Sequence, residues 1–87
     1  MSKVEFHCRI CGYKNETPPW GEDGKCPEYD FCPCCNVEFG NEDYSLESIK
    51  RYRKAWLESG ANWSEPEKKP MEWVLENQLK QIPEEYH

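Results

Sequence analysis

The sequence predicts an α+β protein, with a module of short β-hairpins and turns in residues 1–44 and two α-helices in residues 45–87. Three observations support this class. All six cysteines lie in the first part, four of them in two C-x-x-C pairs. Glycine and proline interrupt that part repeatedly, which is typical of turns and loops. In the second part, apolar residues recur at helical spacing. We therefore expect one folding unit, with the helices packed on the cysteine-rich module.

The two C-x-x-C pairs predict a metal site made of four thiolates. The candidate ligands are the members of both pairs: Cys8, Cys11, Cys32 and Cys35. In such a knuckle a tight turn points both sulfurs at one ion, and two facing knuckles complete a tetrahedron with metal–sulfur distances of about 2.3 Å. Gly12 follows the first pair and Asn36 the second, and both residue types tolerate a sharp turn. We expect one Zn²⁺, with iron as the alternative, because an all-thiolate site accepts either metal.

Three further residues could take part in this site or lie beside it. His7 adjoins the first pair and could replace a cysteine as ligand, although a histidine there is more typical of an exposed side chain or a hydrogen-bond donor to sulfur. Cys26 could replace an expected ligand or be an ordinary loop thiol. Cys34 lies between two candidate ligands, where we expect a small buried thiol rather than a reactive one. A disulfide between Cys26 and Cys34 is a further alternative, which a reducing compartment disfavours.

The spacing of apolar residues in residues 45–59 predicts an amphipathic helix. Five apolar residues in this segment span an arc of about 140°, the width of a stripe that faces a core. They are Leu46, Ile49, Tyr52, Trp56 and Leu57. Either Asp43 or Ser45 could cap the first turn, and Gly60 suits the left-handed residue that ends many helices.

The pattern of residues 71–82 predicts a second helix, which Pro83 ends. The residues that recur at helical spacing are Met71, Val74, Leu75, Gln78, Leu79 and Ile82. Residues 61–70 are polar, and their two prolines limit helix formation, so we expect a connector there. Trp73 falls outside the apolar stripe of the second helix, so it either precedes the true helix or packs elsewhere. Like the other three tryptophans, it is expected in the core or over the cysteine-rich module rather than on a partner-binding surface.

The chain is acidic, with a formal net charge of −6. Four thiolates outweigh the charge of a divalent ion, so the metal-loaded chain is more acidic still. Such an anion is a poor general ligand for nucleic acid or an acidic membrane. Residues 50–54 are a basic run, but Arg51 and Lys54 each have a glutamate four residues away, which favours a solvated, salt-bridged helix face. Arg53 lies in the apolar arc, where it could extend to solvent or pair with an acidic residue of the cysteine-rich module.

Residues 6–39 resemble the rubredoxin-like zinc-ribbon class. The likeness rests on two knuckles and two aromatic residues: Cys8-x-x-Cys11-Gly12-Tyr13, Cys32-Pro33-x-Cys35, and Tyr13 with Phe39. The run Phe31-Cys32-Pro33-Cys34-Cys35, with the helix that follows, resembles the bacterial CPCC family of small cysteine-rich proteins.

This resemblance implies a small rubredoxin-like zinc ribbon at residues 1–44 and a helical C-terminal extension at residues 45–87. It also implies one structural zinc ion and a family with no settled activity. The sequence departs from the rubredoxin pattern at Asn36, where glycine normally follows the second pair, and the loop between the pairs is short. These departures favour structural zinc over a one-iron electron carrier.

The motifs of several enzyme classes are missing from the sequence, among them a phosphate-binding loop, a nucleophile elbow and a zinc-deaminase signature. Four cysteines also close the coordination sphere of a metal, whereas a catalytic zinc keeps an open position. We therefore expect a non-enzymatic, zinc-binding monomer whose partner is another protein. The alternatives are a one-iron electron carrier and a nucleic-acid-binding zinc ribbon. The sequence contains no membrane-length apolar run and does not start with the apolar stretch of a secretory signal, so we expect a cytoplasmic protein.

Overall fold

The computed structural model describes residues 4–87. Its helical elements are α1, Leu46–Glu58, and α2, Leu75–Leu79, with 3-10 turns at Pro66–Lys68 and Glu84–Tyr86. α1 contacts the last of these turns, so the end of the chain returns to the first helix. Neither helix of this described part has the length and apolar character needed to cross a membrane. Residues 1–3, which belong to the predicted cysteine-rich module and to the start that lacks a signal-like stretch, lie outside the described residues.

The predicted β-hairpins are wrong, and with them the α+β class and the rubredoxin-like zinc ribbon. The cysteine-rich half contains two isolated antiparallel bridges, one between His7 and Lys14 and one between Phe31 and Glu38. No strand or sheet forms within the described part of the chain. Each bridge joins the residues that flank one C-x-x-C turn, so this half is built from turns rather than from a ribbon.

The bridges do not extend into ladders because the chain soon leaves the strand conformation beside each of them. Pro18 and Pro19, which have no N–H group to donate to a partner strand, follow the first bridge after a few residues. Beside the second bridge, Tyr29 has a φ of 56° and Gly40 a φ of 100°. Both values lie outside the β region, so the pairing ends there.

α1 begins and ends within one residue of the predicted bounds because its caps are encoded locally. The Ser45 side chain accepts a hydrogen bond from the Ser48 amide at 3.2 Å, which makes Ser45 the N-cap. The chain turns away after the helix at Gly60, whose φ is 111°. Within the predicted apolar stripe Ile49 and Trp56 are buried, but Leu46 and Leu57 are exposed, so the face that meets the core is narrower than predicted.

Asp43, the other capping candidate, is a buried anchor instead. Its carboxylate accepts hydrogen bonds from the Trp20 indole at 2.8 Å and from the Gly40 amide at 2.7 Å. The Arg9 guanidinium donates to the Asp43 carbonyl at 3.3 Å. Burial raises the pKa of Asp43, although the donors at Trp20 and Gly40 oppose that shift. Asp43 therefore ties the segment before α1 to the loop that contains Trp20.

Replacing Asp43 with alanine is expected to lower the free energy of unfolding by about 3 kcal/mol, because the Trp20 indole N–H then stays buried without an acceptor. Urea denaturation of the metal-loaded protein measures the change. Asp30→Ala is the matched control, since Asp30 is exposed, and its effect is expected within about 0.5 kcal/mol. Equal losses in the two variants would contradict the anchoring role of Asp43.

The second helix is much shorter than predicted. α2 spans Leu75–Leu79 rather than residues 71–82, and its N-cap residue, Val74, makes no side-chain capping hydrogen bond. Trp73 lies before the helix and packs edge-to-face on Trp63, with ring centroids 5.7 Å apart. A helix this short gains little from its own hydrogen bonds, so tertiary contacts determine the path of this segment.

The core is centred on thiols rather than on a sheet. The largest fully buried side chains are Ile10, Ile49, Val37, Asp43, Cys8, Cys11, Cys32 and Cys34. Trp20, Trp56 and Trp63 are also buried, and Trp73 is half-buried against the same cluster, so the expectation for the tryptophans is confirmed. Because cysteines make up half of the most deeply buried side chains, an interaction that holds the sulfurs together also stabilises the core.

Candidate metal centre

The first C-x-x-C turn is closed by its own main chain. The Cys8 amide donates to the Tyr13 carbonyl at 2.8 Å, and the Gly12 amide donates to the Cys8 carbonyl at 3.0 Å. Gly12 has a φ of 82°, in the left-handed region that glycine adopts without strain. The Ile10 amide also points at the Cys8 sulfur, at 3.4 Å. These contacts place both sulfurs of the first knuckle on one side of the turn.

The second C-x-x-C turn repeats this pattern position by position. The Cys32 amide donates to the Val37 carbonyl at 2.9 Å, and the Asn36 amide donates to the Cys32 carbonyl at 3.0 Å. Asn36 has a φ of 66°, so it occupies the left-handed position that Gly12 occupies in the first turn. Asparagine reaches this region more readily than most residues, and the departure from glycine does not change the turn.

The four predicted thiols come together between the two turns. Their sulfurs all lie within 4.8 Å of one another. Two contacts join the turns: 3.7 Å between the sulfurs of Cys8 and Cys35, and 3.7 Å between those of Cys11 and Cys32. A tetrahedron with metal–sulfur bonds of about 2.3 Å has edges of about 3.8 Å. The spacing of the sulfurs therefore suits a tetrahedral metal ion.

The same four thiols are shielded from water. Cys35 is 4% exposed and the other three are fully buried. Burial raises the pKa of Cys8, Cys11 and Cys35. Burial acts in the same direction on Cys32, but hydrogen bonds from the other three thiols hold the pKa of Cys32 well below its usual value. A bound cation opposes the cost that burial imposes on the ionised thiols, because it favours the thiolate form of its ligands.

The three other candidates lie outside this cluster. His7 hydrogen-bonds through Nδ1 to Glu5 at 2.8 Å. Cys26 is an exposed free thiol whose sulfur is 3.7 Å from a carboxylate oxygen of Asp23. Cys34 is a free, fully buried thiol, as expected from its place between two ligands. The alternative disulfide between Cys26 and Cys34 is absent.

Two proteins of Bacillus subtilis (strain 168) are similar to the chain. The uncharacterized protein YozI is 35% identical over 83 aligned positions, which cover 77% of this chain and 69% of YozI. The uncharacterized protein YoaQ is 38% identical over 92 aligned positions, which cover 86% of this chain and 76% of YoaQ. The chain belongs to the YozI–YoaQ family. No family model and no solved structure matches it, so the likeness to the CPCC family stays a prediction.

In this member of the YozI–YoaQ family, side chains from the second half of the molecule bind three successive carbonyls of the first knuckle. Arg53 donates through Nε to the Ile10 carbonyl at 2.7 Å and through Nη2 to the Arg9 carbonyl at 2.9 Å. Gln78 donates through Nε2 to the Cys11 carbonyl at 3.1 Å. The first knuckle is thereby fixed to α1 and to α2.

The equivalent three carbonyls of the second knuckle are bound as well. The donors are the Glu65 amide to Pro33 at 2.8 Å, the Ser64 amide to Cys34 at 3.0 Å, and the Tyr52 hydroxyl to Cys35 at 2.9 Å. Burial raises the pKa of Tyr52 to about 12, so its hydroxyl stays protonated and able to donate. Two of these three donors are main-chain amides of the connector between the helices.

Sequence reasoning did not assign Arg53 and Gln78 to the site. Both are polar residues at positions of a predicted apolar stripe. A polar residue at a core-facing position was the feature of the sequence that could have indicated a buried hydrogen-bonding role. The hydrogen bonds of the Arg53 side chain end on main-chain carbonyls rather than on a carboxylate, so neither expectation for it was correct. Burial lowers the pKa of Arg53, while the charge of nearby sulfurs, including those of Cys8 and Cys11, opposes that shift.

Proposed function

We propose that the chain binds one Zn²⁺ through Cys8, Cys11, Cys32 and Cys35, and that this ion holds residues 4–44 in their folded arrangement. The observation that supports this most directly is the pair of 3.7 Å contacts between sulfurs of different knuckles. We also propose that the chain is a member of the CPCC family, which the sequence at residues 31–35 resembles.

The role of this zinc ion is structural rather than catalytic. All four positions of a tetrahedral ion are filled by protein sulfur, and the most accessible of these residues, Cys35, is only 4% exposed. A catalytic zinc needs a position for water or substrate. Because the coordination sphere is closed, we propose that the protein is not an enzyme.

Elemental analysis of purified protein tests the identity of the metal. We expect colourless protein with about one equivalent of zinc, because four thiolates complete the coordination of one ion and Zn²⁺, a d¹⁰ ion, gives no visible colour. A red protein with one equivalent of iron would replace this proposal with the one-iron electron carrier. Cobalt substitution then tests the ligands, because four thiolates give intense sulfur-to-cobalt charge-transfer absorption. If the wild-type chain takes up no metal under reducing conditions, the proposed function is wrong.

Removal of the ion is expected to unfold residues 4–44, because structural zinc sites couple binding to folding. Near-UV circular dichroism and amide dispersion in NMR spectra, recorded before and after treatment with a strong chelator, measure the loss. Restoring zinc should restore both signals. Intact aromatic dichroism in protein verified to be metal-free would contradict the coupling.

The partner that we propose is a protein with a basic surface. We propose that it binds the cysteine-rich half of the chain, and that both proteins are cytoplasmic. The chain has a net charge of −6, and Tyr29, Phe31 and Tyr44 are 63%, 53% and 74% exposed. Nucleic acid is less suited, because Arg51 is paired with Glu47 at 3.0 Å on the helix face that would have to bind it.

A pull-down from the native host tests this partner, with Phe31→Ser as the variant for comparison. A basic protein retained by wild type, lost at high salt and weakened by Phe31→Ser is the expected result. Salt-sensitive binding of nucleic acid near physiological ionic strength would instead favour the nucleic-acid alternative.

A further inference from the structure

The two knuckles have equivalent turns but different kinds of support. On the second knuckle, two of the three carbonyls described above accept hydrogen bonds from main-chain amides, those of Ser64 and Glu65. On the first knuckle all three accept from side chains, and one side chain, Arg53, supplies two of the donors. The shape of the first knuckle therefore depends on a single guanidinium to a degree that the second does not.

We propose that Arg53 is a positioning residue for the metal site, and that its guanidinium keeps the first knuckle in the shape that retains the metal. This inference rests on the proposed function, since it concerns the same ion. Arg53 does not touch a sulfur; it acts through the carbonyls of Arg9 and Ile10, which lie between the two cysteines of the first knuckle.

The chemistry of arginine suits this position. Its planar guanidinium presents several donors in a fixed fork and stays charged at any physiological pH. A zinc ion with four thiolates carries a net negative charge, and a half-buried cation beside the knuckle stabilises that charge more than it would in water. Lysine at this place would keep the charge but lose the fork, so the two contributions can be separated by substitution.

A simpler role for Arg53 is a tie between α1 and the end of the chain, because Nη2 also donates to the Tyr86 carbonyl. Such a tie would change the overall stability of the protein without acting on one knuckle in particular. The two roles therefore differ in whether the effect is larger at Cys8 and Cys11 or equal at all four cysteines.

Arg53→Met removes charge and fork while keeping an unbranched side chain, and Arg53→Lys removes the fork alone. Arg51→Met is the matched control, since Arg51 lies on the same helix with a side chain that is 73% exposed.

The first measurement is the rate of zinc transfer to a chelator from fully loaded protein at a temperature where far-UV circular dichroism is unchanged. We expect a rate increase of about tenfold or more for Arg53→Met, a smaller one for Arg53→Lys, and less than about twofold for Arg51→Met.

The second measurement uses protein loaded with ¹¹³Cd, whose coupling to cysteine Hβ protons reports each ligand separately. Arg53→Met should shift the signals of Cys8 and Cys11 more than those of Cys32 and Cys35. Tyr52→Phe, which removes a donor from the second knuckle, should give the opposite pattern.

Two results would overturn the proposal: an unchanged release rate in Arg53→Met, or equal shifts of all four cysteines, which would show a general tie. If Arg53→Met does not fold, the same two measurements on Arg53→Lys decide whether Arg53 positions the first knuckle. A wild-type protein that binds neither zinc nor cadmium would refute the proposed function itself, whereas a wild type that binds while its Arg53 variants release metal normally refutes only this inference.

Discussion

Replacing Cys32 with serine is expected to weaken zinc binding by about two orders of magnitude and to destabilise residues 4–44. Serine has almost the same size as cysteine, but its hydroxyl does not ionise near neutral pH and is a poor zinc ligand. A structural zinc ion contributes about 10–16 kcal/mol, so the loss of one ligand costs on the order of 3 kcal/mol. That is a large part of the stability of a small domain, which is about 5–15 kcal/mol. Metal content after dialysis against a weak chelator, together with the melting temperature, measures the effect.

Two other cysteines provide controls for this substitution. Cys26→Ser should keep one equivalent of zinc and an unchanged melting temperature, because Cys26 is exposed and outside the cluster. Cys34→Ser should keep the zinc but lose some stability, because a fully buried thiol is replaced by a hydroxyl. If Cys34→Ser released zinc as readily as Cys32→Ser, the assignment of Cys32 as a ligand would have to be revised.

Replacing Gly12 with alanine is expected to be among the most damaging substitutions outside the cysteines. A Cβ atom at this position would lie 2.2 Å from the Gln78 carbonyl oxygen, and the backbone φ of Gly12 is 82°. The left-handed backbone alone costs alanine about 1–2 kcal/mol. The overlap with main chain of α2 cannot be relieved by a side-chain rotation, so either the first knuckle or α2 must move. We expect a total loss of about 3 kcal/mol or more.

Gly24→Ala separates these two causes. Gly24 has a φ of 74°, close to that of Gly12, but no atom lies within 4 Å of a Cβ placed there. The control should therefore lose only the conformational part, about 1 kcal/mol. Urea denaturation of both zinc-loaded variants gives the comparison. Similar losses in the two variants would show that the approach of Gln78 to the first knuckle contributes nothing.

The candidate site could be anticipated because its signal is local. A C-x-x-C turn is determined by its own few residues, and the structure brings the four thiols together as the spacing indicated. α1 was predictable for the same reason, since Ser45 and the apolar spacing are both read within one segment.

The fold class could not be anticipated because the end of a ladder is decided by backbone angles outside the motif. Short extended segments at residues 4–7 and around Phe31, each just before a knuckle, favoured β-hairpins. Whether pairing continued past one bridge depended on residues such as Tyr29, whose positive φ no pattern in the sequence indicates. α2 lies in a segment that contacts a distant part of the chain, since Gln78 approaches Gly12 closely, and no local pattern in the sequence indicates such a contact.

The support of the two knuckles by later parts of the chain has a consequence for protein synthesis. Tyr52, a donor to the second knuckle, follows its acceptor Cys35 by 17 residues. The donors to the first knuckle follow theirs by 43 residues at Arg53 and by 67 residues at Gln78. The ribosome adds about 5–20 residues per second, so the first knuckle is made early and waits seconds for its last donor. The knuckle that is translated first is therefore completed last, and its surroundings can be fully assembled only when nearly the whole chain has emerged.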